Sequence, residues 1–171
     1  MATSKVHVRQ LCEEDLDDMV MLLMDPCVME FSETGALSED KARKEFARML
    51  EQSVEMPYAE QPIIEPSGRI VGFAGAYWFQ LGDQHVLGLH YRVLCEVRGR
   101  GYATEAGQQI LQRWKEQRGG EIFAVIDDQN EGSKIVAERL GFEPWTRQFI
   151  DRYTSRPVWR YETPLAEGRD R

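Results

Sequence analysis

The sequence predicts an α/β chain of the α+β kind, with a mixed, mostly antiparallel central sheet of about seven strands and four flanking helices. Three observations carry that expectation. The chain has 171 residues, which suits one domain, residues 1–171, with a substantial core. Runs with strand character and runs with helical period follow one another as strand, two helices, three strands, helix, strand, helix, two strands. One strand–helix–strand step, over residues 85–126, implies a parallel pair inside an otherwise antiparallel sheet. No repeat, low-complexity tract or linker divides the chain.

Residues 6–9 form the first short strand. Over 13–24, Leu16, Met19, Val20 and Leu23 recur at helical spacing behind acidic residues that suit a helix N-terminus, and Asp25-Pro26 ends the run. Ser38 is the expected N-cap of a second helix with Ala42, Phe46, Met49 and Leu50 on one face. Lys41 denies that helix a full capping box. Residues 58–65 alternate weakly, and Pro66-Ser67-Gly68-Arg69 reads as a hairpin turn. Residues 70–79 are β-branched and aromatic, interrupted by Gly72 and Gly75; after the turn Leu81-Gly82-Asp83-Gln84, residues 85–94 form another strand. Ala103, Ala106, Ile110, Leu111 and Trp114 then share a helix face, and Arg118-Gly119-Gly120 stops that helix. Residues 122–126 suit a short buried strand. Asn130 opens a helix marked by Ile135, Val136 and Leu140, with Gly141 as its left-handed stop. Residues 149–153 and 158–162 are expected to pair as a closing hairpin, and the tail after Leu165 to fray.

Composition narrows the function classes. The net charge of −8 argues against a nucleic-acid partner, which would call for a basic surface. It weakly favours cationic partners such as amines. No apolar run approaches the roughly 20 residues of a membrane span, and MATSKVHVRQ lacks the apolar segment of a signal peptide. Cys12, Cys27 and Cys95 are odd in number and widely spaced. That argues against a disulfide framework and for a reducing, cytoplasmic setting, with Cys95 incidental. His7, His85 and His90 are scattered, and no Cys/His spacing suggests a metal site.

The stretch CEVRGRGYATEA, residues 95–106, carries the chemistry. A strand that ends in glycines and feeds a helix leaves the first helical N–H groups unpaired, which makes an anion site. Glycines let the anion approach the backbone, and Arg98 and Arg100 add positive charge. The pattern lacks the Gly-Lys-Ser/Thr ending of a P-loop and the three-glycine dinucleotide fingerprint. A plain strand-to-helix turn with exposed arginines remains the alternative. Downstream, NEGSKIVAERLGF (130–142) places Asn130 at a helix start and Ser133 one turn inside. Asn130 either binds an amide-rich ligand or only caps its helix.

In this order the two segments resemble the GNAT superfamily of N-acetyltransferases. Its Arg/Gln-x-x-Gly-x-Gly/Ala turn reads here as Arg98-Gly99-Arg100-Gly101-Tyr102-Ala103, and its second segment as Asn130, Ser133 and Gly141-Phe142. The stretches VRQLCEEDLDDMVMLLMDPCVMEF and RGYATEAGQQIL look like the RimJ/RimL branch, which acetylates N-termini of ribosomal proteins. The resemblance implies that the parallel strands splay and that acetyl-coenzyme A, as cosubstrate, lies between them. Tyr91 and Val93 would offer main-chain groups to pantetheine. The diphosphate would sit on the N–H groups of Gly99, Gly101, Ala103 and Thr104, near Arg98 and Arg100, and Asn130 and Ser133 would approach from the other strand. The acceptor would be a primary amine, either a protein N-terminus or a small amine, attacking the thioester directly. A main-chain N–H near Tyr91 would stabilise the oxyanion.

Two departures from the family pattern stand out. Residues 84–95 hold no Asp or Glu, so the proton goes to water, to His90 or to a residue from elsewhere. Ala137 stands where many relatives have a tyrosine, leaving Ser133 either to serve the departing sulfur or simply to support its helix. These departures leave room for a non-catalytic acyl-coenzyme A sensor or interaction module. Phe31, Tyr77, Trp78 and Trp159 are candidates for either core or acceptor pocket. An oligomer stays open.

Overall fold

The computed structural model describes residues 4–149 and 155–166. The strands are β1 (His7–Val8), β2 (Gln61–Ile64), β3 (Ile70–Leu81), β4 (Gln84–Val93), β5 (Gly120–Val125), β6 (Glu143–Phe149) and β7 (Ser155–Thr163). The helices are α1 (Leu16–Met24), α2 (Glu39–Glu55), α3 (Tyr102–Gln117) and α4 (Glu131–Leu140). The seven strands make one sheet in the order β1-β2-β3-β4-β5-β7-β6. Every neighbouring pair is antiparallel except β4 and β5, which α3 connects. This is the mixed sheet that the strand–helix–strand step predicted.

Each sheet face buries a helix pair because the helices present apolar residues at a period near 3.6. On one face, Ala106, Ile110, Leu111 and Trp114 of α3 join Ala137 and Leu140 of α4 over Leu87, Leu89, Ile122 and Ala124. On the other, Met19, Val20 and Leu23 of α1 and Ala42, Phe46 and Met49 of α2 close over Phe73. Fully burying a large side chain of this kind contributes roughly 1.5–3 kcal/mol. The two helical layers fix the sheet from both sides and leave its middle open only where β4 and β5 diverge.

Several expectations are corrected. Ser38 occupies the N-cap position of α2 with extended backbone, but its side chain makes no capping hydrogen bond. The single strand expected over 70–79 is β3, which runs unbroken across Gly72 and Gly75 and on to Leu81. The last hairpin begins earlier than expected, because β6 starts at Glu143; its residues are mostly exposed, so they lack the apolar alternation that marks a strand. Of the segment expected as strand at 149–153, residues 150–153 lie outside the described residues. Cys27 and Cys95 are not incidental. They form a disulfide with Cα atoms 6.2 Å apart, across a sequence separation of 68. The fold brings the end of α1 against the end of β4, a proximity that spacing along the chain cannot reveal. Among the described residues, no helix is long and apolar enough to cross a membrane.

Candidate active site

β4 and β5 pair in register only at Gly88 and Phe123, while β4 stays paired with β3 from Gln84 to Val93. The parallel strands therefore splay. The Leu94 N–H donates to the Val71 carbonyl across β3 at 2.8 Å. Alternation along the strand then turns the main-chain groups of Val93 and Tyr91 the other way, toward the gap that β5 leaves. A cavity of about 1190 Å³ fills this gap, running from the turn between β4 and α3 to the segment between α1 and α2.

At one end stands the arginine–glycine turn. Gly99 and Gly101 have φ of 78° and 84°, the left-handed region that glycine alone enters without strain. Gly101 is the N-cap of α3 and has no side chain to cap it. The first bond of the helix runs from the Glu105 N–H to the Gly101 carbonyl at 3.0 Å. The N–H groups of Tyr102, Ala103 and Thr104 thus have no helical partner. Thr104 Oγ1 is buried without a hydrogen bond. Gly99, Gly101, Ala103, Thr104 and Arg98 line the cavity. The Arg98 guanidinium donates to the Cys27 carbonyl at 2.7 Å and to Glu30 at 3.2 Å. Arg100 is exposed, is not part of the cavity lining, and reaches back to the Glu96 carbonyl at 3.4 Å.

Across the gap, Asn130 Oδ1 accepts from the Ser133 N–H at 3.0 Å, so Asn130 does cap α4. The Ser133 carbonyl accepts from the Tyr91 hydroxyl at 2.9 Å, which ties α4 to β4. Burial pushes the Tyr91 phenol above its usual range, and the bond to Ser133 only partly opposes it. Asn130 and Ser133 line the cavity. Ala137 is fully buried in the core.

The other end holds a group that sequence reasoning missed. Glu60 is a buried carboxylate with a side chain 3% exposed. Its Oε1 lies 2.8 Å from His90 Nε2 and its Oε2 2.7 Å from Arg48 Nη2. The His90 approach is close but not aligned as a formed hydrogen bond, and Nε2 has no other partner. Burial opposes the charge of Glu60; His90 and Arg48 outweigh it and hold the carboxyl below its usual range. The second anion at Arg48 is Glu45. Glu60 arrives here because residue 59 bridges to Ala76 on β3. That approach needs Gly75, where a Cβ would overlap the backbone of Ala59 and Glu60. A glycine inside a strand is a recognised sign of such an approach. His90 also packs against the rings of Phe73, at 5.6 Å edge-on, and Tyr77, at 4.8 Å. Burial pushes Tyr77 up to about 12. Phe31 and Tyr77 line the cavity. Trp159 is in the core, and Trp78 stacks on His85 at 5.4 Å.

A mixed sheet opened at one parallel pair, with an uncapped helix start at the mouth of the opening, defines a fold built to take an acyl-coenzyme A. A family model described as an acetyltransferase (GNAT) domain matches residues 5–143, and the chain belongs to that family. It is an N-acetyltransferase, and acetyl-coenzyme A is its acetyl donor. The residues present fit that donor: free N–H groups and the unpartnered Thr104 hydroxyl at one end, and free main-chain edges along the gap. The chain is 27% identical over 175 residues to the uncharacterized protein YkkB of Bacillus subtilis, covering 97% of this chain and 92% of that one. Its fold matches a phosphinothricin acetyltransferase of Sinorhizobium meliloti solved with acetyl-coenzyme A, with TM-score 0.73, 18% identity and coverage of 96% and 90%. It also matches RimL, a ribosomal alpha-N-protein acetyltransferase in complex with coenzyme A, with TM-score 0.75, 12% identity and coverage of 95% and 96%.

Proposed function

We propose that the chain transfers acetyl directly to a primary amine and that His90, oriented by Glu60, takes the proton the amine must lose. Bound acetyl-coenzyme A supplies an activated acetyl group and a thiolate that departs readily. Tyr91 and Val93 hold its amides through main-chain groups. The N–H groups of Gly99, Gly101, Ala103 and Thr104 hold its diphosphate, with Arg98 and Arg100 adding positive field. Asn130 and Ser133 contribute from the side of β5. The Tyr91 N–H serves the oxyanion, and the Ser133 hydroxyl faces the departing sulfur.

An ammonium cannot attack a carbonyl, so a proton acceptor is needed. Glu60, held low by His90 and Arg48, is a weak base at neutral pH. Imidazole suits that pH range. On this proposal a small turn of the ring completes an Nε2–H bond to Glu60, which leaves the Nδ1 lone pair for the amine's proton. The Glu60 charge then stabilises the imidazolium, and Arg48 keeps Glu60 ionised.

The buried Glu60–His90 contact carries this reading. A sensor that only bound acyl-coenzyme A would have no use for it. The finer assignment, to the RimJ/RimL-like branch with a protein N-terminus as acceptor, rests on the two sequence stretches alone. A cytoplasmic location then rests on the need for acetyl-coenzyme A, because the Cys27–Cys95 bond removes the cysteine argument for it. Thiol release from acetyl-coenzyme A, measured over a panel of amines and peptides, tests the proposal. Turnover is expected for the unaltered protein, with kcat lowered about 10²- to 10⁴-fold in His90→Ala. Tight coenzyme binding without turnover on any amine would favour the sensor instead.

A further inference from the structure

The acceptor end of the cavity gathers arginines that its carboxylates do not meet equally. Arg48, Arg92 and Arg156 all line it. Glu45 and Glu60 are engaged by Arg48, and Glu60 also by His90. Glu33 and Asp127 each stand 3.7 Å from Arg156, beyond a formed hydrogen bond, and the Arg156 side chain is only 19% exposed. Arg92 has no ion pair, side-chain hydrogen bond or aromatic partner among the described residues. It lies on β4 two residues beyond His90, opposite Phe73 of β3, and so on the same sheet face as His90. Burial draws its pKa down; Tyr77, Glu60 and Glu33 oppose this from a distance, and the like charge of Arg156 adds to it. A guanidinium stays charged regardless. Glu60 and Glu33 act on Arg92 only from beyond ion-pair distance, which leaves its forked donors for a ligand.

We propose that the acceptor amine carries a carboxylate, and that Arg92, with Arg156 beside it, grips that carboxylate and so presents the amine to His90. The inference rests on the transferase reading and narrows it. Guanidinium and carboxylate match as planar forks, which fixes orientation as well as affinity. The rings of Phe31, Tyr77 and Phe79 line the same end and give the acceptor's body an apolar wall. Polyamines, among the cationic amines that the acidic composition weakly favours, would bring like charge against Arg92. A free amino acid and a peptide with an acidic side chain near its N-terminus both supply the required chemistry.

Matched acceptors test this: phenylalanine against phenethylamine, and a longer C-terminally amidated peptide with aspartate at its second residue against one with asparagine there. Initial rates of thiol release are compared for the unaltered protein, Arg92→Met and Arg92→Lys. The unaltered protein is expected to prefer the carboxylate-bearing member of at least one pair by about 10- to 100-fold in kcat/KM. The pair that shows the preference identifies the source of the carboxylate. Arg92→Met should raise KM for that acceptor by a similar factor while kcat and the KM for acetyl-coenzyme A hold, and Arg92→Lys should recover part of the loss. Arg92→Met should change the melting temperature little, since the burial cost and the distant pull of Glu60 and Glu33 are lost together. Equal turnover within both pairs, or a loss confined to acetyl-coenzyme A affinity, overturns the inference and leaves the transferase reading intact. A protein inert toward every amine while binding the coenzyme overturns both.

Discussion

Replacing Glu60 by glutamine removes a charge and almost no volume. In the fold that charge sits 2.8 Å from His90 and 2.7 Å from Arg48, with the side chain 3% exposed. Removing one partner of a buried ion pair costs about 3–5 kcal/mol, because the other is left without compensation. Arg48 keeps Glu45, so the lower end, about 3 kcal/mol, is expected. The cost has a defined pH dependence. The fold lowers the Glu60 pKa from its usual 4.5. A carboxyl lowered in this way contributes stability above its unfolded pKa and loses it as pH falls through the folded one. Urea denaturation followed by circular dichroism should therefore show the full gap between the unaltered protein and Glu60→Gln near neutral pH. The gap should begin to shrink as pH drops below about 4.5 and close only below the lower folded pKa, where the native side chain also becomes neutral. A gap of the same size in acid and at neutral pH, or no gap at either, would refute the view that Glu60 is the ionised partner of His90 and Arg48.

Further outcomes follow from the same geometry. Gly75→Ala forces a methyl into the backbone of Ala59 and Glu60; it should cost about 1–3 kcal/mol and displace Glu60, so kcat falls while coenzyme binding by calorimetry persists. Gly99→Ala meets nothing within 4 Å, but its φ of 78° penalises a side chain. A stability loss of about 1 kcal/mol is expected, with weaker acetyl-coenzyme A binding in the same titration. Cys27→Ser opens a loop spanning 68 residues; loop entropy sets the loss at up to about 4 kcal/mol, and dithiothreitol should lower the melting temperature of the unaltered protein but not of the variant.

The order of strands and helices was legible because the core-facing residues repeat at strand or helix period, as Ala106, Ile110, Leu111 and Trp114 do on α3. The donor end was legible because its chemistry is local: two glycines, a helix start and two arginines within a few residues. The acceptor end was not. Glu60 lies in YAEQP, which carries no motif, and reaches His90 only through a bridge between residues distant in sequence. Gly75, inside an otherwise β-branched and aromatic strand, was the available signal of a close backbone approach. That Arg92 forms no close ion pair could not be read either, since any arginine in a sequence can have a partner elsewhere. The start of β6 was hidden because that strand is mostly exposed.

The segment after α1 is fastened to the β4–α3 turn three times: by the Cys27–Cys95 bond, by Arg98 on the Cys27 carbonyl and by Arg98 on Glu30. That segment walls the acceptor end through Phe31, while the turn cradles the donor. The two substrate compartments are thus stitched along one seam. Reducing the disulfide would leave only the two polar contacts of Arg98 along that seam.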